Sequence, residues 1–342
     1  MKSDNVLRGL PELYQLYRWA NEPSSIYKVS TLCTVECGEE LLPVYQFDLG
    51  ASDVTKPTVI FVGGVHGVER IGTQVLLSFM HTLFERCHWD TSTASLLASI
   101  NIVFIPLLNP GGMLLKTRAN PNGVDLMRNA PLDAKGSVSG LLGGHRISRI
   151  LPWYRGTQSA GMELESGLLC DVVMKSIGAS PFTISVDCHS GFGNRDRIWF
   201  PYAYTADPFD DIGAMYSLRQ LFRKTHPTYS FYRIEPQAHQ YTTHGDLWDY
   251  VHLNTMESRA GVYLPLTLEM GSWLWVKKNP SQLFNTLGVF NPVKPHRHER
   301  VLRRHQCLFE FLIRASASYK GWLPESEDKQ DRVHQAIDHW YK

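Results

Sequence analysis

Apolar residues follow two rhythms along this chain. Unbroken apolar runs at 58–62, 100–107, 182–186 and 262–269, with further strand-like stretches at 41–49, 197–202 and 229–234, predict strands, several of them buried on both faces. Between them, 69–85 places Ile71, Val75, Phe79 and Leu83 one helical turn apart, with Leu76 and Met80 beside them, which predicts a helix with a single buried face. The stretches 162–177, 210–223 and 300–317 read the same way. Alternation of this kind predicts an α/β fold, a parallel or mixed sheet with helices on both faces, and places the chemistry beyond the carboxyl ends of the strands. The connection 109–162, about 50 residues with little periodicity, exceeds an ordinary loop and is expected to build a site. Residues 1–50 read as an N-terminal segment packing on or leading into a core of 51–320, and 321–342 as a polar, partly helical tail. No linker, repeat or low-complexity tract divides the rest.

Composition narrows the function. With 342 residues, 43% of them hydrophobic, the chain can bury a large core. Its 34 Lys+Arg against 33 Asp+Glu leave a formal charge of +1, which argues against nucleic acid or an anionic membrane as partner. No apolar run approaches the roughly 18 residues of a membrane span. The first residues lack the apolar stretch of a signal peptide, so a cytoplasmic location is expected. Six scattered cysteines, with no C-x-x-C pair, are expected to be reduced and structural. Oligomeric state stays open.

The chemistry begins where the run Thr58–Val62 ends. Gly63-Gly-Val-His66-Gly-Val-Glu69 turns tightly into a helix and offers an imidazole and a carboxylate three residues apart, a spacing that suits one metal ion. Spacing alone is a weak signal, because His296-Arg-His-Glu299 repeats it in a basic stretch that follows no strand and reads as a solvated helix start. His334 and His339, five apart on a helix, would splay about 140° and read as solvated. Val186-Asp-Cys-His189-Ser-Gly offers a third ligand in the same setting as the first pair. Three protein ligands with an open position describe a catalytic zinc site, whereas the bland reading of His189 is a hydrogen-bonded strand end. Glu269 closes the run 262–269. It is either a solvated strand-end carboxylate or the general base beside metal-activated water. Arg118 and Arg128 lie in a Gly/Pro/Asn-rich loop with Asp125 between them, as solvated side chains or as oxyanion binders.

Taken together, the motifs resemble the zinc carboxypeptidases of the carboxypeptidase A type, the M14 metallopeptidases. The likeness covers 58–275 in order: H-x-x-E after a strand, Asn109-Pro-x-Gly, Arg118 ahead of Gly123-Val-Asp125-x-x-Arg128-Asn, a strand-end histidine and a late glutamate. It implies a mixed twisted sheet of about eight strands and one zinc held by His66, Glu69 and His189. It further implies Glu269 as base, Arg118 polarising the scissile carbonyl, Arg128 pairing with the substrate's terminal carboxylate and Asp125 orienting His66. Tyr241, ahead of Thr-Thr-His-Gly-Asp, would cap the substrate, and Trp248 falls either where the family lines its side-chain pocket or simply in the core. Two positions depart from the pattern. Met127 replaces an asparagine that shares the terminal carboxylate, and Asn109-Pro-Gly-Gly112 replaces N-P-D-G. The expected reaction is hydrolysis of an amide next to a free carboxylate, with a peptide or N-acyl amino acid as substrate. The alternatives are a zinc deacylase of N-acyl amino acids and a zinc-containing binding protein without catalysis.

Overall fold

Every residue of Thr58–Gly63 is buried, as a strand covered on both faces requires, and this strand lies near the middle of an eight-stranded sheet. The structure is a computed structural model that describes residues 9–191, 193–325 and 327–342. In chain order the strands are β1 (Tyr27–Cys37), β2 (Glu40–Gly50), β3 (Thr58–Gly63), β4 (Asn101–Ile105), β5 (Phe182–Gly191), β6 (Arg197–Phe200), β7 (Arg233–Pro236) and β8 (Val262–Gly271). Across the sheet they run β1-β2-β4-β3-β5-β8-β6-β7. The central strands β4, β3, β5 and β8 are mutually parallel, while β2 meets β4 and β6 meets β8 in antiparallel fashion. The sheet is therefore mixed, with eight strands.

The longer helices are α1 (Pro11–Asn21), α2 (Arg70–Cys87), α3 (Leu164–Ala179), α4 (Ile212–Thr225), α5 (Leu247–Thr255), α6 (Pro295–Ala317) and α7 (Lys329–Trp340). They cover both faces, and the period-two alternation of β3 shows how. Val59 and Phe61 join one core with Phe79 of α2 and Phe309 of α6, whereas Ile60 and Val62 join the other with Leu169 and Val173 of α3 and Val251 of α5. Phe61 stacks on Phe104 at 5.1 Å and meets the edge of Phe309 at 5.1 Å. Each fully buried ring of this kind contributes about 1.5–3 kcal/mol through area alone.

From residue 9 the N-terminal segment is part of this body. β1 and β2 form one edge of the sheet, and α1 lays Trp19 against Phe47 and Phe84. Glu12, on the buried face of α1, is paired with Arg70 and accepts a hydrogen bond from Gln74 (2.6 Å) at the start of α2. Residues 1–8 of that segment, and Phe192 beside the His189 motif, lie outside the described residues. At the other end, Trp340 of α7 packs on Phe200 and donates to the Ile234 carbonyl at 2.9 Å. All six cysteines are free thiols, and no described helix is long and apolar enough to cross a membrane.

The long connection between β4 and α3 has little regular structure but is internally tied. Buried Arg155 pairs with Asp133 at 2.7 Å and donates to the carbonyls of Arg128 (3.0 Å) and Leu132 (2.9 Å). Asn129 bridges the same loop, donating to the Arg155 carbonyl and accepting from the Glu163 amide. These bonds satisfy backbone groups that helices or strands would otherwise pair, so a segment without periodicity can hold a fixed shape.

Candidate active site

Strand register brings the chemistry together. β3, β5 and β8 are neighbours and all point their carboxyl ends the same way, so Gly63 lies beside Cys188 and His189 beside Glu269. The turn after β3 delivers His66 and Glu69 to that edge. Gly67 is required there, because a Cβ would sit 2.0 Å from the Gly112 backbone of the next loop. Asn109 fastens the two loops from the other side, donating to the Val65 carbonyl at 3.1 Å and accepting from the Gly112 amide at 2.7 Å.

His66, Glu69 and His189 form a buried knot whose ligand atoms all lie within 4.8 Å of one another. His66 Nδ1 is 3.0 Å from Glu69 Oε1, His189 Nδ1 is 3.0 Å from Glu69 Oε2, and the two Nδ1 atoms are 3.1 Å apart. Behind each imidazole stands a carboxylate, with Asp125 Oδ1 3.0 Å from His66 Nε2 and Asp187 Oδ2 2.7 Å from His189 Nε2. For His66 the bond to Asp125 favours a ring proton on Nε2, and in both rings Nδ1 faces Glu69, as in a histidine–metal site backed by carboxylates.

Electrostatics in the knot favour a cation. Burial works against charge on every member, yet Arg118 and His66 hold the Asp125 carboxyl well below its usual range, and the two histidines hold Glu69 low. Burial likewise opposes a charged His189, but Asp187 and Glu69 push it well up. Arg118 braces Glu69 and Asp125 while Asp187 stands behind His189, so three carboxylates gather around the two imidazoles, a donor set that suits a divalent cation. Two nitrogens and one carboxylate suit zinc with an open coordination position.

The other expected residues surround this knot. Arg118 bonds Asp125 Oδ2 (2.8 Å) through Nε and Glu69 Oε1 (3.1 Å) through Nη1, so it is braced rather than solvated. Glu269 is half-buried on the cavity wall, and desolvation followed by the nearby Glu69 charge pushes its carboxyl up to about 8. Arg128 is buried, and its Nε has no hydrogen-bond partner among the described residues. Tyr241 reaches the same space, where burial pushes its phenol up while the adjacent Arg128 and Arg118 pull it down. A single cavity of about 860 Å³ is lined by His66, Glu69, Arg118, Arg128, His189, Tyr241 and Glu269, with Asp125 just behind His66.

A profile of the zinc carboxypeptidase family, M14, matches residues 22–272, nearly three quarters of the sequence. The chain belongs to the zinc carboxypeptidase family. It is 37% identical to carboxypeptidase E of Caenorhabditis elegans over 105 residues, 26% of this chain and 22% of that one. It is 25% identical to carboxypeptidase D of Mus musculus over 186 residues, 52% of this chain and 12% of that one. The matches thus span less than a quarter of these relatives' length. In fold, the chain resembles thrombin-activatable fibrinolysis inhibitor (TM-score 0.63, 17% identity, 90% of this chain and 73% of that one). It also resembles carboxypeptidase A of Helicoverpa armigera (TM-score 0.62, 18% identity, 90% of this chain and 71% of that one).

One open alternative is decided here, and two residues, Arg197 and Trp199, emerge only in three dimensions. Trp248 is not part of the cavity wall. It is buried on α5 and donates from Nε1 to Asp187 Oδ2 at 3.1 Å, steadying the carboxylate behind His189. The indole that does line the cavity is Trp199 of β6, next to Arg197 on the same face. Asp187 could have been found in the sequence, since a residue two before His189 on a strand shares its side.

Two consequences are measurable. Asp187→Asn is expected to weaken zinc affinity by about 10–100-fold with the fold intact, read by chelator competition and thermal melting. A Cβ at Gly191 would lie 2.2 Å from Glu269 Oε1, the movable end of a side chain. Gly191→Ala should therefore melt normally and bind zinc normally, yet turn over slowly; an unchanged kcat would show that the carboxylate has no fixed working position.

Proposed function

We infer that this chain is a zinc-dependent exopeptidase that removes one residue by hydrolysing the amide bond next to a free carboxylate. The observation that carries this reading is the shared cavity, which joins the ligand knot, a half-buried carboxyl and a buried arginine whose Nε lacks a partner among the described residues. When bound at His66, Glu69 and His189, zinc supplies Lewis acidity toward water and a carbonyl oxygen. Glu269 takes a proton from the attacking water and hands it to the departing amine, serving first as base and then as acid. Arg118, already held by Asp125, donates to the carbonyl oxygen as negative charge gathers there. Arg128 pairs with the terminal carboxylate, and Tyr241 closes over it. Met127 in place of a second donor leaves that duty chiefly to Arg128.

The zinc-loaded chain, offered peptides with free and amidated C termini and a parallel set of N-acyl amino acids, is expected to release only the terminal residue from free carboxylates. Equal cleavage of amidated peptides would exclude an exopeptidase. Faster release from short acyl groups than from peptides would instead favour a deacylase built on the same residues. Arg128→Ala is expected to raise KM by about 10–100-fold, the loss of a charged hydrogen bond, with kcat less affected.

A further inference from the structure

We propose that the residue this site removes is acidic, its side-chain carboxylate held by the guanidinium of Arg197 with the indole N–H of Trp199. The inference rests on the exopeptidase reading and names the substrate class.

The argument starts with strand order. Going across the sheet from β5 to β8 to β6, register sets His189 beside Glu269 and Glu269 opposite Arg197. The metal knot thus lies on one side of the base and Arg197 on the other, one strand spacing of about 4.8 Å away. Trp199 is two residues along β6, opposite Thr267, and all four residues line the cavity. Trp199 meets the ring of Tyr241 edge-on at 6.0 Å, and Tyr241 lies against Arg128. A terminal residue whose main-chain carboxylate sits on Arg128 therefore has its side chain next to Trp199 and Arg197.

The chemistry offered there is a set of donors only partly met by acceptors. Arg197 spends Nε on Glu235 Oε1 at 3.2 Å, which orients the guanidinium, and its Nη atoms meet no acceptor among the described residues. The Trp199 indole N–H is buried with no partner among the described residues. Of the other carboxylates on the cavity wall, Asp246 already caps α5 through the amides of Trp248 and Asp249. A cationic terminal side chain would meet Arg197 directly. A bulky apolar one would meet Trp199 and leave its buried N–H and the Nη atoms of Arg197 without an acceptor, a condition under which polar sites reject analogues. A short side-chain carboxylate satisfies charge, hydrogen bonding and length together.

The test uses the full zinc-loaded chain and N-acyl dipeptides that differ only in a terminal Glu, Asp, Leu or Lys, together with calorimetric binding of free L-glutamate, L-leucine and L-lysine. Expected is a kcat/KM for Glu about 10–100-fold above that for Leu, the worth of a charge-assisted hydrogen bond, with Lys lowest. Arg197→Gln, which keeps a donor for Glu235, should collapse the Glu-to-Leu ratio, and Arg197→Lys should restore part of it. Preference for Leu or Lys, or a ratio unmoved in a zinc-replete, normally melting Arg197→Gln protein, overturns the assignment while leaving exopeptidase activity standing. If no dipeptide is hydrolysed, binding decides: tighter, Arg197-dependent binding of glutamate upholds the pocket and removes only the reaction, and equal binding of all three amino acids removes the pocket.

Discussion

Glu269→Gln is expected to slow turnover by about 10³–10⁴-fold, the upper range of general acid–base catalysis, because one carboxyl serves as base and then as acid. The amide matches the carboxyl in size, so the half-buried position near the end of β8 should stay filled and the fold should be preserved. Zinc should stay too, since Glu269 lies across the strand pair from His189 and outside the knot of ligand atoms. A second readout separates chemistry from shape. The active form of Glu269 is the carboxylate, so the rate should fall as pH drops through its titration, and that acid limb should vanish from the residual activity of the variant. A zinc-replete glutamine variant with near-normal rate would remove Glu269 from the mechanism.

Much of this site was legible because strand ends have a local signature. An apolar run followed by glycines marks where a buried strand stops at an open edge, and His66, Glu69, His189 and Glu269 all sit at such stops. The control at His296 and Glu299 has the spacing without the strand, and the structure places it at the start of α6, where His298 bonds Gln74 and Glu299 is exposed. What the chain conceals is lateral. Nothing near Arg197 or Trp199 in sequence says that β6 will pair antiparallel with β8 and turn them toward Glu269.

The choice between two tryptophans is likewise decided by orientation, with Trp248 turned to Asp187 and Trp199 to the cavity. Aromatic content also misleads on its own. The expected strand at 229–234 begins only at Arg233, because Tyr229, Phe231 and Tyr232 pack as a cluster. Within it, Arg304 of α6 lies over the Phe231 ring, and Tyr232 bonds His305 of the same helix. Composition suited to a strand was used for helix packing.

The companion experiment removes the metal rather than the base. His66→Ala should abolish both zinc retention and turnover, because His66 supplies a ligand and also links Asp125 to the knot. The loss should exceed the roughly 10–100-fold cost of deleting a carboxylate that merely steadies a ligand. Deleting the imidazole leaves Glu69 Oε1 and Asp125 Oδ1 without their ring partner in a buried site, so some stability should be lost as well. His66→Gln, which keeps volume and a polar end, should recover stability without recovering metal. Metal content measured on both variants, against melting temperature, separates a ligand from a structural residue. If His66→Ala keeps stoichiometric zinc, the cation is held elsewhere and the turn after β3 is not its cradle.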